Sequence, residues 1–517
     1  MEKLIRYKKE HIGILIFSAF FISGFFFEGY KKSVYFIHLF VFLTVFFYLK
    51  NIRVGLTSGF GFIFLMLFSL FFGDFKSESF FSISVWILCV FSYYFVSNMK
   101  EEEKKYFFKS FNDILIYAST FISILVLINF IKGGRFYVIG NNPNYAAILI
   151  SISIFACFLR FLDNKKIIFL FYTAVCLGAI TVLNSRSGYL SLVISFFILY
   201  SHKKGLKKAL FALLFLLIIF ILSPWEIISY FLKMDDPKAY YRPYIWLSSL
   251  KAFVSSPIWG FGGGSFEYVF EKFKFPYFDG FCYYNHSSVH AHNEFLNIAV
   301  ENGITVLLAY LLILKKWFLS KEKNEIYFSI MIITVFSLFD IVLKLPFIRI
   351  IYFLFLGYYE SNFKYEVGFR KIILLVVLFF VAFVYAIKDK NFKKYEKGYV
   401  ELSQNPNDFR KSAVSEYLFY HYPLNPIFAF ETAKFYESVE DYDKALNYAE
   451  KALKIEPNFN NALIMTAYLK FIKGEAKDFK NYIDKIKIVE NGERNFYFSY
   501  ISSLNLNLYY RLLKEVK

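Results

Sequence analysis

The chain has 517 residues, is 57% hydrophobic and 23% aromatic, and carries a formal net charge of +18. Soluble globular proteins contain about 45–50% apolar residues, so this composition excludes an ordinary soluble protein and indicates a membrane protein. The basic residues lie mostly in short clusters between apolar runs, which argues against a nucleic-acid partner. The four cysteines form neither a disulfide framework nor a zinc-ligand pattern.

Apolar segments of spanning length fill most of residues 1–387, since a transmembrane helix needs about 20 apolar residues. The pattern predicts an all-α, polytopic bundle of 12–13 spans. The segments are 11–29, 33–49, 53–73, 80–97, 112–131, 145–162, 167–184, 188–201, 208–223, 293–314, 325–343, 346–359 and 371–387.

The distribution of basic residues predicts the orientation of this bundle. With the N-terminus in the cytoplasm, the cytoplasmic gaps hold 24 lysines and arginines, and the short outer gaps hold 8. Such an excess on one side follows the positive-inside rule. It predicts that the large loop 224–292 and everything after the last span lie on the outer, periplasmic side.

The outer loop 224–292 contains a second helical pattern. Arg242-Pro243 is a typical helix start, and Ser255-Ser256-Pro257 is a typical end. The apolar residues between them predict an amphipathic helix at the membrane surface: Ile245, Trp246, Leu250, Phe253 and Val254. The glycine-rich turn 257–266 that follows is either a plain flexible turn or a backbone cradle for a phosphate.

Residues 388–517 are polar and form a separate predicted periplasmic domain. The segment from Pro426 to Pro457 matches the tetratricopeptide repeat pattern at Ala433, Tyr436, Ala445, Ala452 and Pro457. Looser units flank it on both sides. Because one repeat cannot bury its own apolar face, we expect about three stacked units, which could bind a protein partner.

Three of the seven histidines, His286, His290 and His292, precede the span 293–314 at its outer end. Histidine accepts protons near neutral pH, as activation of a sugar hydroxyl requires. We expect His292 at the cap of the helix and His290 on loop backbone, with neither buried. One alternative is that His292 or Asn293 only caps the helix. Another is a metal site, although no cysteine or suitably spaced carboxylate accompanies it.

Two arginines lie at the predicted outer face. Arg186 and Arg242 can each grip phosphate oxygens in a bidentate manner, so they suit a lipid-linked diphosphate as leaving group. Either one alone could instead be a snorkelling anchor at the lipid headgroups. Arg135 and Asn144, in the outer gap before the span 145–162, are further substrate-binding candidates. No Asp-x-Asp occurs in an outer loop, so we expect no metal and no cofactor.

Three ordered motifs carry a resemblance to a known family: SRSG at 185–188, R-x3-W at 242–246 with P-x2-G-x-G-x2-SF at 257–266, and H-x-HNEFL-x4-ENG at 290–303. Together they resemble the O-antigen ligase-related family over about residues 1–360. That family comprises O-antigen ligases, O-antigen polymerases and protein O-oligosaccharyltransferases.

The resemblance implies a metal-independent glycosyltransferase of the bacterial inner membrane. Its donor would be a glycan on undecaprenyl diphosphate, and its acceptor lipid A-core, as in an O-antigen ligase, or another glycan or a protein. By the same resemblance, His292 is the catalytic residue with His290 in reserve, and Arg186 and Arg242 bind the donor diphosphate.

A polysaccharide transporter or a repeat scaffold is the non-enzymatic alternative. A transporter should show charged residues in mid-membrane and internal repeats. The sequence offers a single candidate, Asp340 deep in the segment 325–343, and no repeat.

Overall fold

The structure is a computed structural model that describes residues 52–54, 59–69, 76–134, 142–234, 241–273, 288–360, 365–367, 410–421, 426–455 and 459–475, with a few single positions beyond. Within these residues it is helical, apart from one short antiparallel pairing of strands. This pairing joins β1 (Ile52–Val54) to β2 (Tyr365–Val367).

The membrane region contains thirteen α-helices within the described residues, and a 3-10 turn at Val342–Lys344 precedes the last of them. In chain order they are α1 (Gly59–Ser69), α2 (Lys76–Ser97), α3 (Glu101–Ile131), α4 (Pro143–Asn164), α5 (Ile167–Leu183), α6 (Arg186–Lys204), α7 (Leu206–Ile221), α8 (Trp225–Leu232), α9 (Arg242–Ser255), α10 (Phe266–Phe273), α11 (Glu294–Phe318), α12 (Glu325–Phe339) and α13 (Pro346–Tyr358).

Ten of the predicted segments coincide with helices, whereas 11–29, 33–49 and 371–387 lie outside the described residues. Helices α3, α4 and α11 are long and apolar enough to cross a membrane. Helices α7 and α8 would form a fourth, broken span, with a bend of 111° between them. The apolar helices support a multi-pass membrane protein, while the number of spans stays a prediction.

Helix α4 lies at the centre of the bundle and contacts α3, α5, α6 and α12. It is apolar on nearly all sides and mostly buried, as a helix surrounded by other helices must be. Two serines link it to α3: Ser119 Oγ donates to the carbonyl of Leu149 at 3.1 Å, and Ser153 Oγ donates to that of Leu115 at 3.2 Å. Small polar residues of this kind join helices that have no hydrophobic driving force between them in lipid.

The direction of the central helices determines which residues meet at each end. Helices α4 and α6 run in parallel, and α12 packs between them in the opposite direction, so the starts of α4 and α6 lie beside the end of α12. At this end the side chain of Asn144 contacts that of Asp340. At the other end Arg160 contacts Glu325 at 2.8 Å.

Two expectations about the outer end need correction. The predicted span 325–343 ends earlier, at Phe339, because Asp340 adopts an extended conformation and caps the helix, so this residue does not lie deep in a span. Helix α9 starts at Arg242 as expected, but it packs against α10 and α11 through a buried side that includes Ile245 and Ala252. Leu250 and Val254, predicted on the same apolar face as Ile245, are exposed.

The C-terminal region contains α14 (Arg410–His421), α15 (Pro426–Ser438), α16 (Tyr442–Ile455) and α17 (Asn460–Ile472), each packed against the next. Three of the small residues in the predicted repeat pattern, Ala433, Ala445 and Ala452, are fully buried between these helices. Pro457 lies outside the described residues. The tetratricopeptide assignment and the domain boundary at residue 388 stay predictions.

Candidate functional site

The Asp340 carboxylate is the meeting point of four segments that are distant in sequence. Its Oδ1 lies 3.3 Å from Nδ1 of His292 and accepts the backbone N–H of Ile341 at 2.8 Å. Its Oδ2 lies 3.4 Å from Nη2 of Arg242 and accepts a hydrogen bond from Nδ2 of Asn144. The end of α12 thereby connects the starts of α4 and α9 with His292, which lies two residues before α11.

Asp340 is held in its charged form although its side chain is only 4% exposed. Burial alone raises the pKa of this carboxyl, but the hydrogen bond with His292 and the positive charge of Arg242 outweigh burial and hold the pKa below its usual range. A buried carboxylate without such partners would instead take up a proton. We therefore infer an ionised Asp340 that orients the imidazole and the guanidinium beside it.

Asn144 connects Asp340 to the SRSG motif. Its Oδ1 accepts a hydrogen bond from Ser185 Oγ at 2.6 Å, and its backbone N–H donates to Oδ1 of Asn142 at 2.9 Å. Ser185 is also the N-cap of α6, where its hydroxyl accepts the N–H of Gly188 at 3.2 Å. The first residues of α4 and α6 are thus fixed against each other and against the end of α12.

His292 occupies an unusual backbone position between the loop and α11. Its φ is +49°, in the left-handed region that costs a non-glycine residue about 1 kcal/mol. The N-cap is the next residue, Asn293, whose Oδ1 accepts the N–H of Leu296 at 3.0 Å and whose Nδ2 donates to the carbonyl of Leu338 at 3.0 Å. The predicted cap at His292 is therefore off by one residue, because Asn293 has the better capping side chain. The His292 side chain remains 29% exposed, so a substrate can reach it.

His290 packs against His292 instead of lying on free loop backbone. The two ring centroids are 4.2 Å apart, edge to face. Ser288 Oγ donates to the His290 carbonyl at 2.6 Å, and the N–H of Ala291 donates to Oδ1 of Asn297 at 3.2 Å, so the loop is hydrogen-bonded on both sides. Burial, together with the neighbouring His292, lowers the pKa of His290 well below its usual range. His290 is half-buried, so it does not lie inside a packed core, but it is held by its neighbours and is not on free loop backbone.

Arg186 lies one residue after Ser185 but points its guanidinium toward α8. Its Nη1 donates to the carbonyl of Leu232 at 3.4 Å, and its neighbour Asn184 donates to the carbonyl of Tyr230 at 2.7 Å. Arg186 is thus anchored beside the Asp340 cluster, between the bundle and the bent helix that follows it.

The predicted site residues differ in how close they lie to Asp340. The side chains of His292, Arg242 and Asn144 contact Asp340, His290 lies behind His292, and Arg186 lies at the edge. Arg135 and His286 lie outside the described residues, so their roles as candidates stay predictions. Within the described residues, no group of three histidine, cysteine or carboxylate side chains is arranged to hold a metal ion.

The glycine-rich turn 257–266 completes α11 and does not hold its amides open for a phosphate. Gly303 interrupts α11 with φ +77°. The two carbonyls freed just before it are taken by the turn: the N–H of Phe261 donates to Val300 at 3.1 Å, and that of Gly262 donates to Glu301 at 2.6 Å. A Cβ at Gly303 would lie 2.1 Å from a backbone oxygen of the turn, so only glycine fits. A helix break within a membrane protein needs such replacement partners.

A buried ion pair beneath the site was not recognised as part of it from the sequence. Arg349 Nη2 lies 3.7 Å from Glu294 Oε1, and the Arg349 guanidinium stacks 4.0 Å from the centroid of the Trp86 ring. Because Glu294 is the first residue of α11, the pair ties the start of this helix to α13 and α2. A usable signal was present in the sequence, since ionisable residues within apolar segments are costly and usually paired.

A family model described as O-antigen ligase matches residues 171–311, about a quarter of the chain. This range includes Arg186, Arg242, the glycine-rich turn, His290 and His292, while Asn144 and Asp340 lie on either side of it. No curated protein and no solved structure matches the chain.

The match and the apolar helices together indicate the class of the protein. They support a multi-pass membrane protein with glycosyltransferase activity of the O-antigen ligase or polymerase type. This class implies a lipid-linked glycan as donor and a glycan as acceptor.

Proposed function

We propose that this protein transfers a glycan from undecaprenyl diphosphate to an acceptor hydroxyl, and that it acts as an O-antigen ligase on lipid A-core. The observation that carries the proposal is the convergence of His292 and Arg242 on the ionised carboxylate of Asp340, in a chain that matches the O-antigen ligase family model.

The geometry supports His292 as the general base. Its Nδ1 faces the Asp340 carboxylate, so the proton of the neutral ring belongs on Nδ1 and the basic lone pair on Nε2. Nε2 takes the proton of the acceptor hydroxyl as the oxygen attacks the anomeric carbon. The bond from that carbon to the diphosphate oxygen breaks, and its electron pair leaves with undecaprenyl diphosphate. A single displacement of this kind inverts the anomeric centre.

The departing diphosphate needs positive charge, and the two arginines provide it. Arg242 is partly exposed while it contacts Asp340, so one edge of its guanidinium remains available to phosphate oxygens. Arg186, at the start of α6, supplies a second guanidinium at this end of the bundle, and in the proposal it turns from the Leu232 carbonyl to the diphosphate. Preorganised charges at a developing anion are usually the largest single contribution to catalysis. His290, neutral and packed on His292, positions that ring.

The acceptor defines which member of the family this is, and an in vitro assay separates the candidates. Purified full-length protein would receive an undecaprenyl diphosphate-linked glycan and one of three acceptors: lipid A-core, a second lipid-linked glycan, or a serine- and threonine-bearing protein. We expect transfer to lipid A-core, in excess chelator. Product on only the second or third acceptor would replace the ligase proposal by a polymerase or a protein O-oligosaccharyltransferase. A chelator block relieved by one divalent ion would revive a metal site.

The proposal requires the site to face the periplasm, with the N-terminus in the cytoplasm. The 24-to-8 distribution of lysines and arginines supports this orientation. A reporter enzyme that is active only outside the cytoplasm, fused after Lys390, should therefore be active. Activity of a reporter restricted to the cytoplasm at the same position would contradict the orientation and the placement of the site.

A further inference from the structure

A cavity of about 820 Å³ opens at the end of the bundle opposite the Asp340 cluster. Its lining comes from α3, α4, α5, α6, α12, α13 and the segments preceding α5 and α12. Along α4, Asn144 at the site and Arg160 at the cavity are separated by about 24 Å, from 1.5 Å per helical residue. The hydrocarbon core of a bilayer is about 30 Å thick, so the two regions lie near opposite headgroup layers.

The acidic residues deepest in the cavity are already paired. Arg160 donates through Nε to Oε1 of Glu325 at 2.8 Å and through Nη1 to Asp113, and Asn112 donates to Glu325 at 3.0 Å. This cluster joins α3, α4 and α12. It contains one cation and two carboxylates, so this part of the cavity does not itself attract an anion.

The rim of the cavity carries excess positive charge. Four lysines in the lining are exposed and form no ion pair within the described residues: Lys105, Lys109, Lys166 and Lys203. They are opposed by two lining carboxylates without an ion pair there, those of Asp163 and Glu322. Four cations from three different segments, namely α3, the residue before α5 and the end of α6, therefore surround a single opening.

The cavity is also partly apolar and adjoins an exposed apolar surface. Phe108, Leu159 and Phe169 contribute to its lining. Next to the rim, the first turns of α5 expose Ile167 and Phe171, at 79% and 58% of their surface. A soluble anion would make no contact with this apolar surface. The acyl chains of a lipid would cover it while the charged headgroup occupied the cavity.

We propose that this cavity binds the headgroup of an anionic phospholipid, with the acyl chains lying along the exposed face of α5. The observation behind it is the set of unpaired lysines around an opening that adjoins exposed apolar residues at the membrane end away from the site. The positive-inside pattern predicts that this is the cytoplasmic leaflet. The inference is independent of glycan transfer and holds even if the protein has another activity.

The test uses purified full-length protein in a neutral detergent and measures bound lipid by native mass spectrometry. Phosphatidylglycerol and phosphatidylcholine with identical chains are titrated separately, and glycerol 3-phosphate serves as the soluble headgroup. We expect saturable binding of one phosphatidylglycerol, weaker binding of phosphatidylcholine and no competition by glycerol 3-phosphate. Equal binding of the two lipids would overturn the proposal. Competition by glycerol 3-phosphate at the lipid's own concentration would instead reveal a site for soluble phosphate.

A matched pair of double variants separates a defined site from general charge attraction. Lys109→Gln with Lys203→Gln removes two rim lysines, whereas Lys207→Gln with Lys208→Gln removes two exposed lysines at the same end that do not line the cavity. The first variant should bind phosphatidylglycerol roughly 30-fold more weakly, from the usual contribution of a lysine at an anionic surface. The second should bind like the wild type. Equal losses in both variants would contradict a site. All four lysines are exposed, so both proteins should fold.

Discussion

The two ends of the α4–α12 helix pair each hold a cluster of charged residues, but with opposite charge balance. At one end Arg160 is shared by two carboxylates, Asp113 and Glu325. At the other end one carboxylate, Asp340, gathers an arginine, a histidine and an asparagine. In the first arrangement both carboxylates bind the single guanidinium, and the cluster acts as a clamp that holds α3, α4 and α12 together. The second leaves an arginine and an imidazole partly exposed, which is what a site for an anionic leaving group needs.

The largest effect on transfer should come from His292→Ala at the site end. Loss of a positioned general base typically costs about 10²–10⁴ in rate, so we expect no detectable product. His290→Ala is the matched control, because it removes the neighbouring ring while leaving the contact between His292 and Asp340, and it should retain a measurable fraction of activity.

The readout for both histidine variants is the in vitro assay run beside a donor-binding measurement. Normal transfer by His292→Ala would remove the acid–base part of the mechanism. Loss of donor binding in that variant would make His292 a diphosphate ligand, and the base would have to be sought elsewhere.

Asp340→Asn should give the next largest loss, about 10²-fold or more in kcat. The amide keeps the shape of the side chain but offers His292 a less defined partner, so the ring no longer holds one tautomer. If Asp340 only supports the fold, kcat of the folded variant would instead be unchanged, and KM is measured alongside.

The stability of the Asp340 variant should also depend on pH in a defined direction. The pKa of Asp340 is lowered on folding, so its ionised form stabilises the protein above the unfolded-state pKa of about 4. That contribution is lost as the pH falls toward the folded-state pKa. The difference in Tm between wild type and Asp340→Asn should therefore be largest near neutral pH and shrink in acid. A difference that grows in acid would mean that Asp340 is protonated in the folded protein.

The bundle and the candidate site also show how much of the structure could be predicted from the sequence. The apolar segments predicted ten of the thirteen described helices of the membrane region, because a membrane leaves the chain little choice but helix. The sequence named His292, Arg242 and Asn144 as candidates, and the structure brings these three side chains together at Asp340, while their roles in binding and catalysis stay predictions. Asp340 was noticed but misplaced, since periodicity does not reveal that α12 stops at Phe339. Its role depends on four distant segments meeting, which no local pattern contains.

The glycine-rich turn is a second feature whose partners are too distant in sequence to be predicted from a local pattern. The sequence left it open between a flexible turn and a phosphate cradle, and both alternatives treat it as a local feature. Its amides are instead used by the carbonyls that Gly303 frees in α11, a partnership across some forty residues of chain. His290 was likewise expected on free loop backbone, because sequence spacing does not show that its ring packs on that of His292.

Replacing Arg242 or Arg186, the two arginines at the Asp340 end, should have an intermediate effect on transfer activity. Arg242→Lys and Arg186→Lys keep the charge but lose the planar fork, so each should lose most transfer activity, about tenfold or more, while inserting normally. A Lys251→Gln variant, which changes an exposed cation on α9 away from the cluster, is the control and should be fully active. Full activity of either lysine variant would demote that arginine to a membrane anchor.

The smallest effect on transfer should come from Arg160→Met. This variant tests most directly whether the Arg160 end of the bundle influences the Asp340 end. Removing the shared cation leaves Asp113 and Glu325 facing each other across α3, α4 and α12, partly buried and without their partner. We expect a lower Tm, with a loss of about 1–3 kcal/mol of stability, because two partly solvated carboxylates suffer less than fully buried ones. Asp113→Asn removes only the more exposed carboxylate and should lower Tm less. Below the unfolding transition, kcat and KM of both variants should equal those of the wild type, since Arg160 lies about 24 Å along α4 from Asn144 at the site. A fall in kcat of folded Arg160→Met, at unchanged donor binding, would show that the ends are coupled through α4 and α12 and that the clamp helps to position Asp340.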